Sequence, residues 1–225
     1  MKYVDYERPT SLKSALSILS EKGDVTKVLA GGTDMLVKLR VRREQPDILM
    51  DSKEIPELNE LSFDPNKGLT LGAAVPLYKL YDNADVQKYY PALVDSTTII
   101  GGIPIQGRAT VGGNLCNAAP SADTIPTLIV LGATALIQSS EGSREVNVDE
   151  FCTGPGSNIL KSNEILVSIN VPAPKQNSGA HYMRFIPRNE MDIAVVGIGT
   201  YVELNSSGDK FEEVNVSLAS VAPTP

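Results

Sequence analysis

The sequence predicts an α+β protein laid out in three consecutive regions, and three observations carry that reading. A strand, a glycine turn, a helix and a second strand follow one another before Ser52, as in a compact βαβ unit. From Glu57 the rhythm changes to alternating strands joined in a hairpin and interspersed with helical segments. Beyond Gly179 only antiparallel strand patterns remain.

The elements follow in order. Residues 9–23 predict a helix, because Thr10 or Ser11 can cap it, Leu12, Ala15, Leu16 and Leu19 share a face, and Gly23 can end it. Thr26 to Ala30 is a short apolar strand that runs into Gly31-Gly32-Thr33-Asp34. Met35 to Arg43 then has helical character until Pro46 stops it, and Asp47 to Ser52 is a second strand. Glu57 to Phe63 and Leu69 to Ala74 read as a hairpin about the turn Asp64 to Gly68. Helical segments are expected at Leu77 to Asp82 and Tyr89 to Ile99, followed by a glycine-rich, irregular passage from Gly101 to Asp123. So long an irregular stretch points to function. Thr124 to Gly132 reads as a buried helix, and Ala133 to Gln138, Glu145 to Val148 and Glu164 to Val171 as strands. Pro172 to Gly179 reads as a linker, after which His181 to Ile186, Ile193 to Leu204 and Phe211 to Ala219 are strands. With few helices to cover that last sheet, the natural chain is expected to continue beyond Pro225.

Composition narrows the function. With 42% hydrophobic and 21% charged residues the chain is neither disordered nor fibrous. The uncharged run Thr124 to Ser140 is too short to span a bilayer, and the first residues lack a secretory signal, so a cytoplasmic location is expected. Two cysteines, Cys116 and Cys152, stand far apart, and His181 is the one histidine, so neither a metal centre nor a histidine-dependent catalytic triad is spelled out. Net charge is −7, yet residues 1–50 hold nine basic and seven acidic side chains. Lys38, Arg40, Arg42 and Arg43 form the basic cluster there, readable as a solvated helix face or as an anion or partner contact. An acidic chain without basic stripes interleaved with aromatics is a poor nucleic-acid binder.

Two glycine motifs carry the chemistry. In Lys27-Val28-Leu29-Ala30-Gly31-Gly32-Thr33-Asp34-Met35 a strand meets paired glycines at a helix start. Glycines allow positive φ and close backbone approach, so several N–H groups can converge on phosphate oxygens. Thr33 can add a donor, whereas ionised Asp34 accepts only and suits bracing the loop or capping the helix. The passage Arg108-Ala109-Thr110-Val111-Gly112-Gly113-Asn114 through Ser121-Ala122-Asp123 repeats that logic. Two such loops can bracket the diphosphate of a dinucleotide, with Asp123 accepting from a ribose or adenine edge; each can equally be a tight turn. Neither is a P-loop or a Rossmann fingerprint.

At these residues the sequence resembles the FAD-binding subunit of the molybdenum hydroxylases, the family of xanthine dehydrogenase, carbon monoxide dehydrogenase and 4-hydroxybenzoyl-CoA reductase. Ala30-Gly31-Gly32-Thr33-Asp34 and Thr110-Val111-Gly112-Gly113-Asn114 match its two signatures in type, order and separation. The similarity also takes in Tyr6 to Pro9, Ser121 to Asp123, Glu164-Ile165-Leu166 and Asp192 to Val196. It implies a two-subdomain FAD-binding fold, with a small βαβ subdomain at 1–55, a larger mixed α+β subdomain at 56–176, and the start of a C-terminal α+β domain at 177–225. By position it implies that Lys27 to Met35 wrap the pyrophosphate, that Ala109, Thr110, Gly113 and Asn114 oppose them, and that Asp123 binds the adenosine portion. It puts Ile100, Ile165, Leu166 and Arg184 near the flavin or ribityl chain, and Ile193 near the isoalloxazine, at a position that is Tyr in some relatives. Gly107 departs from the Asn more usual before the second signature.

The function so implied is relay of electrons by bound FAD between an iron–sulfur small subunit and an external acceptor, for example NAD. Substrate hydroxylation then belongs to a large subunit carrying the molybdopterin cofactor. One rival is a self-contained FAD-dependent oxidoreductase of the vanillyl-alcohol oxidase or UDP-N-acetylenolpyruvoylglucosamine reductase type, for which the residues after Gly179 are few and poor in acid–base groups. A second is a structural subunit whose glycine loops merely turn the chain. Gly31→Val is expected to separate them, because a branched side chain blocks phosphate in one case and only destabilises in the other. His181 reads as the start of a strand, Cys116 as a packing residue, Arg188 as an exposed strand charge or a weaker flavin contact, and Met183, Phe185 and Met191 as core.

Overall fold

The structure is a computed structural model and describes residues 3–188 and 191–224. A first sheet is parallel, ordered β1-β3-β2, from β1 (Asp5–Glu7), β2 (Thr26–Leu29) and β3 (Ile48–Asp51). Between β1 and β2 runs α1 (Leu12–Lys22), whose first turn is capped by Ser11 Oγ accepting from Ser14 N–H at 3.2 Å. Its buried stripe is Leu12, Ala15, Leu16 and Leu19, the face anticipated from their spacing. After β2 the glycine loop leads into α2 (Met35–Arg40), which buries none of its side chains.

The second sheet is antiparallel, ordered β4-β5-β10-β6-β7. Its strands are β4 (Leu61–Asp64), β5 (Gly68–Gly72), β6 (Thr134–Ser139), β7 (Gly142–Asn147) and the central, almost wholly buried β10 (Ile165–Val171). Here the strand expected over Glu57 to Phe63 is corrected: Pro56–Asn59 form a 3₁₀ turn before β4. Pro56 sets the turn, and Asn59 closes it by donating to the carbonyls of Lys53 and Ile55 at 2.9 and 2.8 Å.

Helices α3 (Leu77–Tyr81), α4 (Ala84–Tyr89) and α5 (Pro91–Thr98) follow β5. The passage Gly101 to Asp123 is also corrected, because it contains α6 (Ile103–Gln106) and α7 (Val111–Asn117). Thr110 caps α7 through Gly113 N–H at 2.8 Å. Gly112 serves close packing rather than irregularity, since a Cβ there stands 2.5 Å from the Ala73 carbonyl oxygen. The buried α8 (Thr124–Val130) is as expected. A small hairpin of β8 (Cys152–Gly154) and β9 (Ser157–Asn158), with too few residues to show periodicity, docks under α7. Its hold is Asn158 Nδ2 donating to Cys116 O at 2.7 Å and Gly156 N–H to Ala118 O at 2.9 Å. One hydrophobic core, from Leu12 to Val171, unites the first two sheets.

Residues 172–177 carry no strand or helix and lead into an antiparallel sheet ordered β11-β12-β13, from Ser178–Phe185, Val196–Leu204 and Phe211–Ala219. One of its faces lies on α5 and α8, with Tyr182 and Ala219 buried. Met183 and Phe185 lie on the other face, 61% and 64% exposed, and Met191 is exposed beside the sheet, which corrects their reading as core. No helix among the described residues is long and apolar enough to cross a membrane.

Candidate functional site

A cavity of about 740 Å³ opens between the β2–α2 loop and the α6–α7 segment, within the range of cofactor sites. Gly31 brings the two segments together: a Cβ on it stands 2.2 Å from the Arg108 carbonyl oxygen and 2.8 Å from Ala109 Cα. Gly32 is left-handed at φ +77, so consecutive peptides of the loop turn their N–H groups toward a common space. The N–H groups of Gly31, Gly32, Thr33 and Asp34 donate to no acceptor among the described residues, although all four residues line the cavity. Backbone donors left unpaired in a recess call for an external acceptor.

Across the cavity, Thr124 Oγ1 donates to Asn114 Oδ1 at 2.6 Å, and Asn114 Nδ2 has no acceptor among the described residues. Lys38 contributes a cation. Its Nζ donates to Asn117 Oδ1 at 2.7 Å, both residues line the cavity, and no carboxylate pairs with it among the described residues. The other basic groups of the wall are Lys161 and Lys27, and Lys27 faces Glu44 at 3.6 Å. Glu164 is held by Arg144 at 2.8 Å, and those hydrogen bonds keep its carboxyl below the usual range despite burial. Apolar side chains of Ile100, Ile105, Leu77 and Leu166 complete the lining. Burial pushes the Cys116 thiol up to about 12, so it stays protonated and unreactive. No histidine lines the wall among the described residues.

Of the residues singled out in the sequence, Lys27, Val28, Ala30, Gly31, Gly32, Thr33, Asp34, Met35, Ile100, Ala109, Thr110, Gly113, Asn114, Ile165 and Leu166 are brought together on this wall. Leu29 is not, its side chain being buried in the interior. Asp123 and Arg184 pair with each other behind the wall at 3.0 Å, and Asp123 also accepts from Tyr182 Oη at 2.9 Å. Arg184 donates onward to the Ile99 carbonyl at 2.7 Å. Ile193 lies ahead of β12 rather than within it and is 77% exposed. Asp34 sits at the N-cap of α2 without capping it, contrary to one role expected for it. Arg188 pairs with Asp192, and His181 Nδ1 lies 2.6 Å from Asp95 Oδ2, both away from the cavity.

Of the basic cluster noted in the sequence Lys38 alone lines the wall, and sequence reasoning missed Asn117, Asn158, Lys161 and Ser162. One signal was present for Lys38, which follows Asp34 by four residues and so shares its helical face. The others reach the wall only through tertiary packing, as where the Ser162 backbone lies against Gly23.

A recess that pairs free backbone amides and an uncompensated ammonium with apolar walls defines a binder of a dinucleotide carrying flat rings, and the residues present fit FAD. The chain belongs to the family described as the FAD binding domain in molybdopterin dehydrogenase, which it matches over residues 2–174. It is 32% identical to the xanthine dehydrogenase FAD-binding subunit of Escherichia coli O157:H7, over 99% of this chain and 76% of that protein. It is 30% identical to the carbon monoxide dehydrogenase medium chain of Hydrogenophaga pseudoflava, over 98% of this chain and 75% of that protein. Among solved structures, carbon monoxide dehydrogenase from H. pseudoflava superimposes with a TM-score of 0.93 at 28% identity, covering 99% of this chain and 76% of the other. Quinoline 2-oxidoreductase from Pseudomonas putida 86 gives 0.90 at 27%, covering 100% and 77%. The chain is thus an FAD-binding oxidoreductase subunit of the xanthine and carbon monoxide dehydrogenase kind.

Proposed function

We propose that segments 1–55 and 56–176 clasp FAD between them, and that the chain relays electrons between an iron–sulfur partner subunit and an external acceptor such as NAD. The observation that carries this reading is the row of unpaired N–H groups from Gly31 to Asp34 beside Lys38. These groups would hold the diphosphate, with Asn114 Nδ2 as a further donor; Ile100 and Leu166 would meet a flat ring. Asp123 would bind the adenosine portion and Arg184 would lie near the flavin or ribityl chain, the two side chains being paired with each other at 3.0 Å. Bound FAD supplies both two-electron and one-electron exchange, so the chain itself needs no acid or base. Its own residues bind and orient the group and keep water from its buried side.

Absorbance titration of the purified chain with FAD, followed by anaerobic mixing with the reduced iron–sulfur subunit of its complex, tests the reading. One FAD per chain and bleaching of the flavin band are expected. A chain that stays colourless after reconstitution, or a bound flavin that the partner cannot reduce, would contradict it.

A further inference from the structure

We propose that Lys53 is a positioning residue for the diphosphate site, holding the Ala30–Gly31 peptide so that the Gly31 N–H faces the cavity. The inference rests on the reading of that cavity as a diphosphate site. Lys53 Nζ lies 3.4 Å from the Ala30 carbonyl oxygen and 2.7 Å from Asp51 Oδ1. Asp51 is buried at 2% exposure at the end of β3, and its other oxygen accepts from Tyr6 Oη. The Lys53 N–H closes the arrangement on Asp51 Oδ1 at 2.9 Å. One residue earlier the pattern repeats, with Ser52 N–H donating to the Leu29 carbonyl at 3.0 Å and its Oγ at 3.3 Å. Residues 52 and 53 therefore draw two successive carbonyls of the glycine loop toward β3.

Every described peptide bond is trans, and in a trans peptide the C=O and N–H point in opposite directions. Fixing the Ala30 carbonyl toward Lys53 therefore turns the Gly31 N–H the other way, and that N–H is one of the unpaired donors of the cavity wall. A cation on the carbonyl also polarises the peptide and strengthens its N–H as a donor. Lys53 is not itself on the wall, so its effect passes through the backbone, unlike that of Lys38. A motif search for phosphate-binding lysines passes over it, because it lies 23 residues, a helix and a strand away from the carbonyl it holds.

The test compares the wild-type chain with Lys53→Met, Lys53→Arg and the double variant Asp51→Asn/Lys53→Met, which keeps the buried position neutral. FAD, ADP and riboflavin are the probes, and the urea midpoint reports folding. Lys53→Met, or the double variant if the single one does not fold, is expected to bind FAD and ADP about tenfold more weakly with riboflavin affinity unchanged, as loss of one part-buried, charged polar contact allows. Lys53→Arg should restore most of the loss. Unchanged ADP and FAD affinity overturns the proposal, as does equal weakening of riboflavin, which would mark general damage to the cavity. Wild-type protein that binds neither FAD nor ADP overturns the diphosphate reading itself and this inference with it.

Discussion

Gly31, the first glycine of one motif, and Gly113, the second glycine of the other, are small for different reasons. A Cβ on Gly31 collides with the Arg108–Ala109 backbone, so any side chain there forces the two loops apart whether or not a ligand is present. Gly31→Val therefore cannot separate a cofactor loop from a scaffold turn. Gly113 can: its Cβ would meet only Thr110 Oγ1, at 2.9 Å, and otherwise stand in the cavity. Gly31→Ala is expected to lower stability by about 1–3 kcal/mol in urea denaturation, as overpacking does. Gly113→Ala should be nearly neutral, the helical gain of about 0.5–1 kcal/mol offsetting a displaced cap, while FAD affinity falls in titration. Equal stability losses in the two variants would contradict this division. Asp51 adds a dependence on pH. Burial raises its carboxyl, but hydrogen bonds from Lys53 and Tyr6 outweigh burial and hold it below the ordinary 3.8. A folded value below the unfolded one means stability that is fully present above the unfolded value and lost as pH falls through the folded value. Acidification below about pH 4 should therefore destabilise the wild type more steeply than Asp51→Asn, followed by thermal melting across the acid range.

Among the elements, the third sheet packs on α5 and α8 and is tied to them by a buried polar cluster as well. Asp123, at the head of α8, takes hydrogen bonds from Tyr182 and Arg184 of β11, and the paired side chains are 9% and 7% exposed. Burial pushes the Asp123 carboxyl up against the pull of Arg184 and Tyr182, so removing either partner leaves a costly group behind. Asp123→Ala is expected to destabilise the chain by about 3–5 kcal/mol in urea, because Arg184 is left buried and unpaired. A loss below about 1 kcal/mol would show that Arg184 finds water or another acceptor. These elements were legible to different degrees. Helix α1 announced itself through cap and periodicity, and β2, β3 and α8 through short apolar runs. Pro56–Asn59 did not, because Leu58, Leu61 and Phe63 imitate an interrupted strand while Pro56 and Asn59 make a turn. Glycine density hid α6 and α7, since a glycine chosen for close packing looks the same in sequence as one chosen for flexibility.

For the molecule as a whole, the site was legible where it is made of contiguous backbone. The loop from Ala30 to Met35 and the passage from Ala109 to Asn114 are each continuous in sequence and lie together on the cavity wall. Residues that reach the cavity by folding, such as Asn158 to Ser162 from beside the small hairpin, leave no local trace. Asp123 and Arg184, which the resemblance places at the cofactor, pair with each other at 3.0 Å and are not part of the cavity lining. The central claim is that one cavity, walled by both glycine segments, grips a diphosphate through main-chain donors. A crystal structure of the FAD-reconstituted chain tests it most directly. It should place the diphosphate oxygens about 2.7–3.2 Å from the N–H groups of Gly31 to Asp34, with the Lys38 ammonium alongside. A diphosphate bound in another cleft, or these amides turned to bulk solvent beside an empty cavity, would contradict it.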